Sequence, residues 1–164
     1  WAPRILQRRL ACIHGHEARL EKWESVIPDL IPVSWVRDPV DRLISQFYYE
    51  HRVQKTMHPW PPSASDLIEY AARFQNLMTS YFLPLCKVND YEFIGLCEDY
   101  QKCAEVFCSK VTNKPIKVPH LNSNPSGDSY RVSSGIRSIL AKYNEEDFEL
   151  YRLIQDKWKQ KKYE

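Results

Sequence analysis

Residues 31–52 read IPVSWVRDPVDRLISQFYYEHR and contain the clearest structural signal in the chain. The first part, residues 31–36, is short, largely apolar and partly β-branched, which favours a buried strand over a helix. Asp38 then suits the N-cap of a helix, and Pro39 suits the first helical position, where its missing N–H would have no partner anyway. The apolar residues that follow recur at helical spacing. The stretch therefore predicts a buried strand that runs directly into a helix ending near Val53.

Arg37 falls at the carboxyl end of this predicted strand. Open α/β sheets bind ligands at that edge, and an arginine there presents a planar fork of donors suited to a phosphate or a sulfate. Ser45, two turns into the helix, adds a hydroxyl donor. The residues alone leave a second interpretation open, in which Arg37 pairs with a carboxylate and Ser45 is an ordinary helix residue.

The run VRDPVDRLISQFYY, residues 36–49, has this arginine and serine eight positions apart. It resembles the 3′-phosphate-binding segment of sulfotransferases that use 3′-phosphoadenosine 5′-phosphosulfate (PAPS), above all carbohydrate sulfotransferases of the heparan sulfate 2-O- and 6-O- type. In that family the matching arginine and serine hold the 3′-phosphate of the nucleotide. The resemblance therefore implies that Arg37 and Ser45 bind PAPS.

His14 and His16 flank a glycine, after a short apolar run over residues 10–13 that suits a strand. A histidine at a sheet edge can act as a general base, because its pKa is near neutrality. Hydrogen-bonded structural histidines are the alternative, and a metal site is not expected because no further ligands are spaced nearby. The order of HGH, a helix and the RDPV strand resembles that of heparan and uronyl 2-O-sulfotransferases. This resemblance implies His16 as the catalytic base and His14 as its assistant.

Further elements follow along the chain. A third strand is predicted over residues 91–96, a helical turn or two over 76–83, and helices over 63–72, 98–111, 134–143 and 145–159. Glu98 would lie at the start of its helix, where the dipole favours a carboxylate. The turn-rich segment HLNSNPSGDSYRVSS, residues 120–134, resembles the family's late loop that closes over the nucleotide. That likeness implies Arg131 as a phosphate contact, with a plain solvated arginine as the alternative.

The composition fits one globular domain over residues 1–164, with 43% hydrophobic residues and a net charge of +2. This charge is too small to indicate nucleic-acid binding, and no apolar run approaches the ~20 residues of a membrane span. Five cysteines without a CxxC pair argue against a zinc site or a full disulfide framework, so buried free thiols are favoured. With no visible signal peptide, we expect a cytoplasmic protein, or a trimmed Golgi-lumenal enzyme as the alternative.

The resemblance implies an α/β fold, namely a P-loop NTPase-like, three-layer sulfotransferase domain with a central parallel sheet. Such enzymes also carry an N-terminal strand–loop–helix, whose backbone amides and lysine hold the 5′-phosphosulfate. No Gly-rich, Lys-bearing turn of that kind occurs here, since Gly15 is the only glycine before Gly95. The resemblance therefore covers the C-terminal two-thirds to three-quarters of the family domain, and implies an N-terminally incomplete unit with little turnover by itself.

The implied function is sulfuryl transfer from PAPS to a hydroxyl of a carbohydrate or related acceptor, with adenosine 3′,5′-bisphosphate as product and no metal. The expected partners are this acceptor and PAPS, not nucleic acid, and an oligomer is compatible with the sequence. Two alternatives stay open. One is a P-loop kinase-like phosphotransferase, and the other is a catalytically inactive homologue that serves as a binding module.

Overall fold

A computed structural model of the chain describes residue 27 and residues 30–53, 62–111 and 130–160. This part of the chain is α/β and mostly helical. Every helix in it is too short or too polar to span a membrane. In order, the elements are β1 (Val33–Val36), α1 (Pro39–Val53), α2 (Ala64–Arg73), a π-helical turn (Met78–Phe82), a 3-10 turn (Leu85–Asp90), β2 (Phe93–Leu96), α3 (Tyr100–Val111), α4 (Ser134–Lys142) and α5 (Glu145–Lys159).

The sheet within the described residues consists of β1 and β2, which pair in parallel. Val33 lies opposite Phe93, and Val36 lies opposite Leu96. One residue beyond the strand, the Cys97 N–H donates to the Val36 carbonyl at 2.8 Å, so the pairing continues to the carboxyl ends of both strands. This register brings the segments that follow the two strands to the same edge of the sheet.

Both strands are shorter than the sequence predicted. The expected spans of 31–36 and 91–96 each lose their first two residues. Pro32 has no N–H to donate to a ladder, and Ile31 is 68% exposed, so the strand begins only at Val33. Strand β1 is also less buried than predicted, because Val36 is its only fully buried residue and the other three are half-buried. The strand expected over residues 10–13 lies outside the described residues.

The helices agree closely with the predicted spans, because their capping residues are visible in the sequence. Helix α1 has the predicted bounds, and the Asp38 carboxylate accepts the Asp41 N–H at 2.9 Å in its first turn. Ser63, one of two candidate caps for α2, forms a capping box with Asp66. Ser133 caps α4 by accepting the N–H of the third helical residue.

Buried apolar side chains form two clusters. The first joins the sheet to α5 and the π-helical turn and includes Ile94 and Leu150, both fully buried. The second joins α1, α2 and α4 around Phe47. Cys103 and Cys108 on α3 are buried free thiols, as the sequence predicted. Helix α1 therefore packs into a helical cluster while its N-terminus stays tied to the sheet.

A buried carboxylate links the π-helical turn to α5. Asp147, only 1% exposed, accepts the N–H groups of Met78 and Thr79 at 3.0 and 2.8 Å and the Thr79 hydroxyl at 3.0 Å. In return, the side-chain oxygen of Asn76 accepts the N–H groups of Glu146 and Asp147 in the first turn of α5. Asn76 has a φ of 47°, a left-handed conformation that asparagine tolerates better than most residues. The two segments thus cap each other's N-termini.

We predict that Asp147→Ala lowers the free energy of unfolding by about 3–5 kcal/mol, because it removes a buried charge acceptor and leaves the N–H groups of Met78 and Thr79 without that partner, whereas the Thr79 hydroxyl keeps the Asn76 carbonyl at 3.1 Å. The measurement is urea unfolding followed by circular dichroism. Asp156→Ala is the matched control, since that carboxylate is exposed and, within the described part of the chain, pairs only with Lys159 at 3.2 Å; it should cost less than about 0.5 kcal/mol. Equal losses in the two variants would contradict this role of Asp147.

Candidate functional site

Four residues meet where β1 and β2 end. Arg37 and Asp38 follow β1, and Cys97 and Glu98 follow β2. The Asp38 N–H donates to the Glu98 carboxylate at 2.7 Å, although the two residues are 60 positions apart. The prediction that Glu98 starts its own helix was wrong, because α3 begins only at Tyr100. Its carboxylate lies instead at the N-terminus of α1, where the helix dipole also favours a negative charge.

Arg37 is a half-buried cation at this edge, and it forms no ion pair or hydrogen bond with another described residue. The surrounding carboxylates have other partners. Asp38 accepts the Asp41 N–H, Asp41 pairs with Arg137 at 2.7 Å, and Glu98 accepts the Asp38 N–H. The second interpretation of the sequence required Arg37 to pair with a carboxylate. Among the described residues, no carboxylate neutralises its guanidinium.

Ser45 is half-buried on α1, two turns beyond Asp38, with no side-chain hydrogen bond to another described residue. Arg42 precedes it by three positions, which places the two on adjoining parts of one helix face. Burial lowers the pKa of Arg42 from its ordinary value, and the charge of Asp147 opposes that shift. Sequence reasoning did not single out Arg42, although its three-residue spacing from Ser45 was a usable signal.

The pKa of the Cys97 thiol depends on the charges at this edge of the sheet. The residue is exposed overall, yet its thiol is enclosed enough for desolvation to act on it. Desolvation and then the charge of Glu98 raise the pKa of Cys97 to about 11, while Arg37 and Arg42 oppose the rise. The charges of both arginines therefore act on one thiol at the carboxyl end of β2.

Tyr151 of α5 supports Glu98 from the core side. Its side chain is 8% exposed. Burial first, and then the charge of Glu98 together with a side-chain hydrogen bond to it, raise the pKa of Tyr151. The sequence predicted the helix that carries this tyrosine but gave no sign of the contact, because it joins residues far apart in the chain.

A ring stack places the segment that leads into α4 beside α1. The rings of Tyr48 and Tyr130 lie 3.8 Å apart between centroids, at an interplanar angle of 4°. Tyr48 follows Ser45 by three positions on α1, and Arg131 follows Tyr130 directly. Arg131 is exposed and forms no hydrogen bond or ion pair with another described residue. The stack thus brings the backbone of Arg131 alongside the helix that carries Ser45.

His14 and His16, the predicted assistant and catalytic base, lie outside the described residues. Two cavities lie away from the carboxyl edge of the sheet. A cavity of about 340 Å³ lies at the amino ends of the two strands, and one of about 790 Å³ lies along α4 and α5. Neither is lined by Arg37 or Ser45. In the described ranges, no three His, Cys, Asp or Glu side chains are grouped to hold a metal ion.

Comparisons with family models, with curated proteins and with solved structures found no match to this chain. What can be said of its function therefore depends on the geometry of the carboxyl edge and on the resemblance carried by residues 36–49. Arg37 directly follows β1, and Ser45 lies on α1. The backbone of Arg131 lies on the segment that stacks against α1.

We predict that Cys97 reacts slowly with iodoacetamide despite its exposure. A pKa of about 11 instead of the ordinary 9.0 leaves about 100-fold less thiolate near pH 8. Arg37→Ala should slow the reaction further, because a charge that lowers the thiol pKa is lost, and Glu98→Gln should accelerate it. Mass spectrometry of the tryptic peptide spanning residues 88–102, where Cys97 is the only cysteine, gives the rate.

The control for this experiment is Arg152→Ala, an exposed arginine on α5. Its effect on the alkylation rate of Cys97 should be negligible. Alkylation at the rate of an ordinary thiol would contradict the raised pKa of Cys97, and a rate that does not respond to Arg37→Ala would contradict the effect of the Arg37 charge on this thiol.

Proposed function

We propose that this chain is part of a PAPS-dependent carbohydrate sulfotransferase with a P-loop NTPase-like fold, and that Arg37 and Ser45 hold the 3′-phosphate of the nucleotide. One observation carries the proposal. Arg37 is a half-buried guanidinium at the carboxyl edge of a parallel sheet, without a carboxylate partner among the described residues. Such a group binds a phosphate or sulfate through paired, charge-assisted hydrogen bonds.

The surroundings of Arg37 suit the same ligand. Helix α1 starts two residues later, and its N-terminus carries partial positive charge. Ser45 on that helix offers a hydroxyl that has no competing partner among the described side chains. Arg131 lies on the segment stacked against α1 and supplies a further cation for the nucleotide phosphates. Arg37 and Ser45 are the residues that the resemblance assigns to the 3′-phosphate, and Arg131 is the phosphate contact that it implies in the late loop.

The proposed reaction is a direct transfer of the sulfuryl group. The acceptor hydroxyl oxygen attacks the sulfur of PAPS, and the bond between sulfur and the 5′-phosphate oxygen breaks. His16 takes the hydroxyl proton, with His14 assisting. The products are the sulfate ester of the acceptor and adenosine 3′,5′-bisphosphate. Arg37 and Ser45 act by orientation, since anchoring the 3′-phosphate fixes where the sulfur lies.

We predict that the chain prefers adenosine 3′,5′-bisphosphate over adenosine 5′-monophosphate, and that Arg37→Ala removes most of this preference. Loss of a charge-assisted hydrogen bond of about 1.5–3 kcal/mol corresponds to about a 10- to 150-fold weaker affinity for the bisphosphate. The affinity for the monophosphate should hardly change, because it lacks the 3′-phosphate. Isothermal titration calorimetry with both nucleotides measures the difference.

Arg73→Ala is the matched control, an exposed arginine on α2. It should leave both affinities unchanged. Equal affinities for the two nucleotides in the unmodified chain would contradict the proposed nucleotide site. An unchanged preference in Arg37→Ala would show that Arg37 does not bind the 3′-phosphate.

We predict that His16→Ala lowers the rate of sulfuryl transfer by about 100- to 10,000-fold, the usual contribution of a general base. Affinity for adenosine 3′,5′-bisphosphate should stay nearly the same, because the histidine acts on the acceptor and not on the nucleotide. The assay follows radiolabelled sulfate from PAPS into heparan-type saccharides, using the full-length protein. His14→Ala should give a smaller loss. Unchanged turnover in His16→Ala would refute the assignment of the base.

A further inference from the structure

Glu98 is anchored at the edge where the 3′-phosphate is proposed to bind. Its carboxylate accepts the Asp38 N–H at 2.7 Å, a short distance typical of a charge-assisted bond. The two residues are 60 positions apart in the sequence, so this bond fixes the end of β2 against the start of α1.

The Asp38 N–H belongs to the two-residue connection between β1 and α1. Arg37 is the other residue of that connection. At the other side of the turn, the Asp38 carboxylate accepts the Asp41 N–H, and its carbonyl accepts the Arg42 N–H at 2.8 Å. The bond to Glu98 completes the set of restraints on the backbone of residue 38. The direction in which the neighbouring Arg37 side chain leaves the sheet therefore depends on Glu98.

The charge of Glu98 would by itself disfavour an anion at this edge. A carboxylate beside a phosphate repels it, the more strongly where the site excludes water. Glu98 therefore has two opposite effects on the affinity for an anion. Its bond to the Asp38 N–H favours binding by positioning Arg37, and its negative charge disfavours binding. Glutamine keeps an acceptor oxygen in the same position and removes the charge, whereas alanine removes both. The two substitutions separate the effects.

We propose that Glu98 is a positioning residue of the anion site, holding the turn at residues 37 and 38 so that Arg37 points its guanidinium at the 3′-phosphate. This inference rests on the proposed function and assigns to that site a residue that does not touch the ligand.

The first test measures the preference for adenosine 3′,5′-bisphosphate over adenosine 5′-monophosphate by calorimetry. Glu98→Ala should reduce the preference by about tenfold, as expected when one charged hydrogen bond that orders the site is lost. Glu98→Gln should keep the preference or increase it. Glu105→Ala, an exposed glutamate on α3, is the matched control and should change nothing.

The second test needs no nucleotide. Nuclear magnetic resonance follows hydrogen exchange at the Asp38 amide and the motion of the Arg37 Nε–H group. Glu98→Ala should speed exchange at Asp38 by about tenfold or more and increase the motion of Arg37, while Glu98→Gln should preserve both. Amide exchange in the buried strand β2 should stay slow, which separates a local release from general unfolding.

The outcomes distinguish this inference from the proposed function. If Glu98→Ala and Glu98→Gln both increase the preference for adenosine 3′,5′-bisphosphate, Glu98 acts only as a repelling charge and the inference is overturned. It is also overturned if Glu98→Ala changes neither the exchange at Asp38 nor the motion of Arg37. If the unmodified chain shows no preference, the proposed function fails. Greater motion of Arg37 in Glu98→Ala would then still uphold the positioning role.

Discussion

The parallel pairing of β1 with β2 is the constraint on which the rest of the site depends. Because Val36 lies opposite Leu96, the chain leaves both strands at one edge of the sheet. The bond from the Cys97 N–H to the Val36 carbonyl extends this pairing, and the bond from Asp38 to Glu98 adds a side chain to it. A shift of one residue would turn every side chain of the shifted strand to the opposite face. The starting point of α1, and hence the position of Ser45, follows from this register.

Long-range polar contacts hold the helices around that edge. The Trp158 indole N–H donates to the Ile94 carbonyl at 2.8 Å, which ties the end of α5 to β2. Arg137 of α4 reaches Asp41 in the first turn of α1. The reciprocal caps of the π-helical turn and α5 then fix Asp147, whose charge acts on Arg42 inside α1. Arg137 of α4 and Asp147 of α5 thus both act on α1, which begins two residues after Arg37.

Local signals in the sequence were enough to predict the strand–turn–helix unit and the bounds of α1 and α5. Helix starts can be recognised at Asp38, Pro39 and Ser133, because helix capping depends only on residues that are close in the sequence. Both strands begin two residues later than predicted. For β1 the predicted span included Pro32, which has no N–H to donate to a ladder. The contact of Glu98 with Asp38 could not be predicted in the same way, since no local pattern encodes a bond across 60 residues.

The most direct measurement is a crystal structure of the chain with adenosine 3′,5′-bisphosphate. The account predicts oxygens of the 3′-phosphate within hydrogen-bonding distance, about 2.7–3.2 Å, of both the Arg37 guanidinium and the Ser45 hydroxyl. A nucleotide whose 3′-phosphate lies elsewhere, or an Arg37 side chain turned onto a carboxylate in the presence of the ligand, would contradict it.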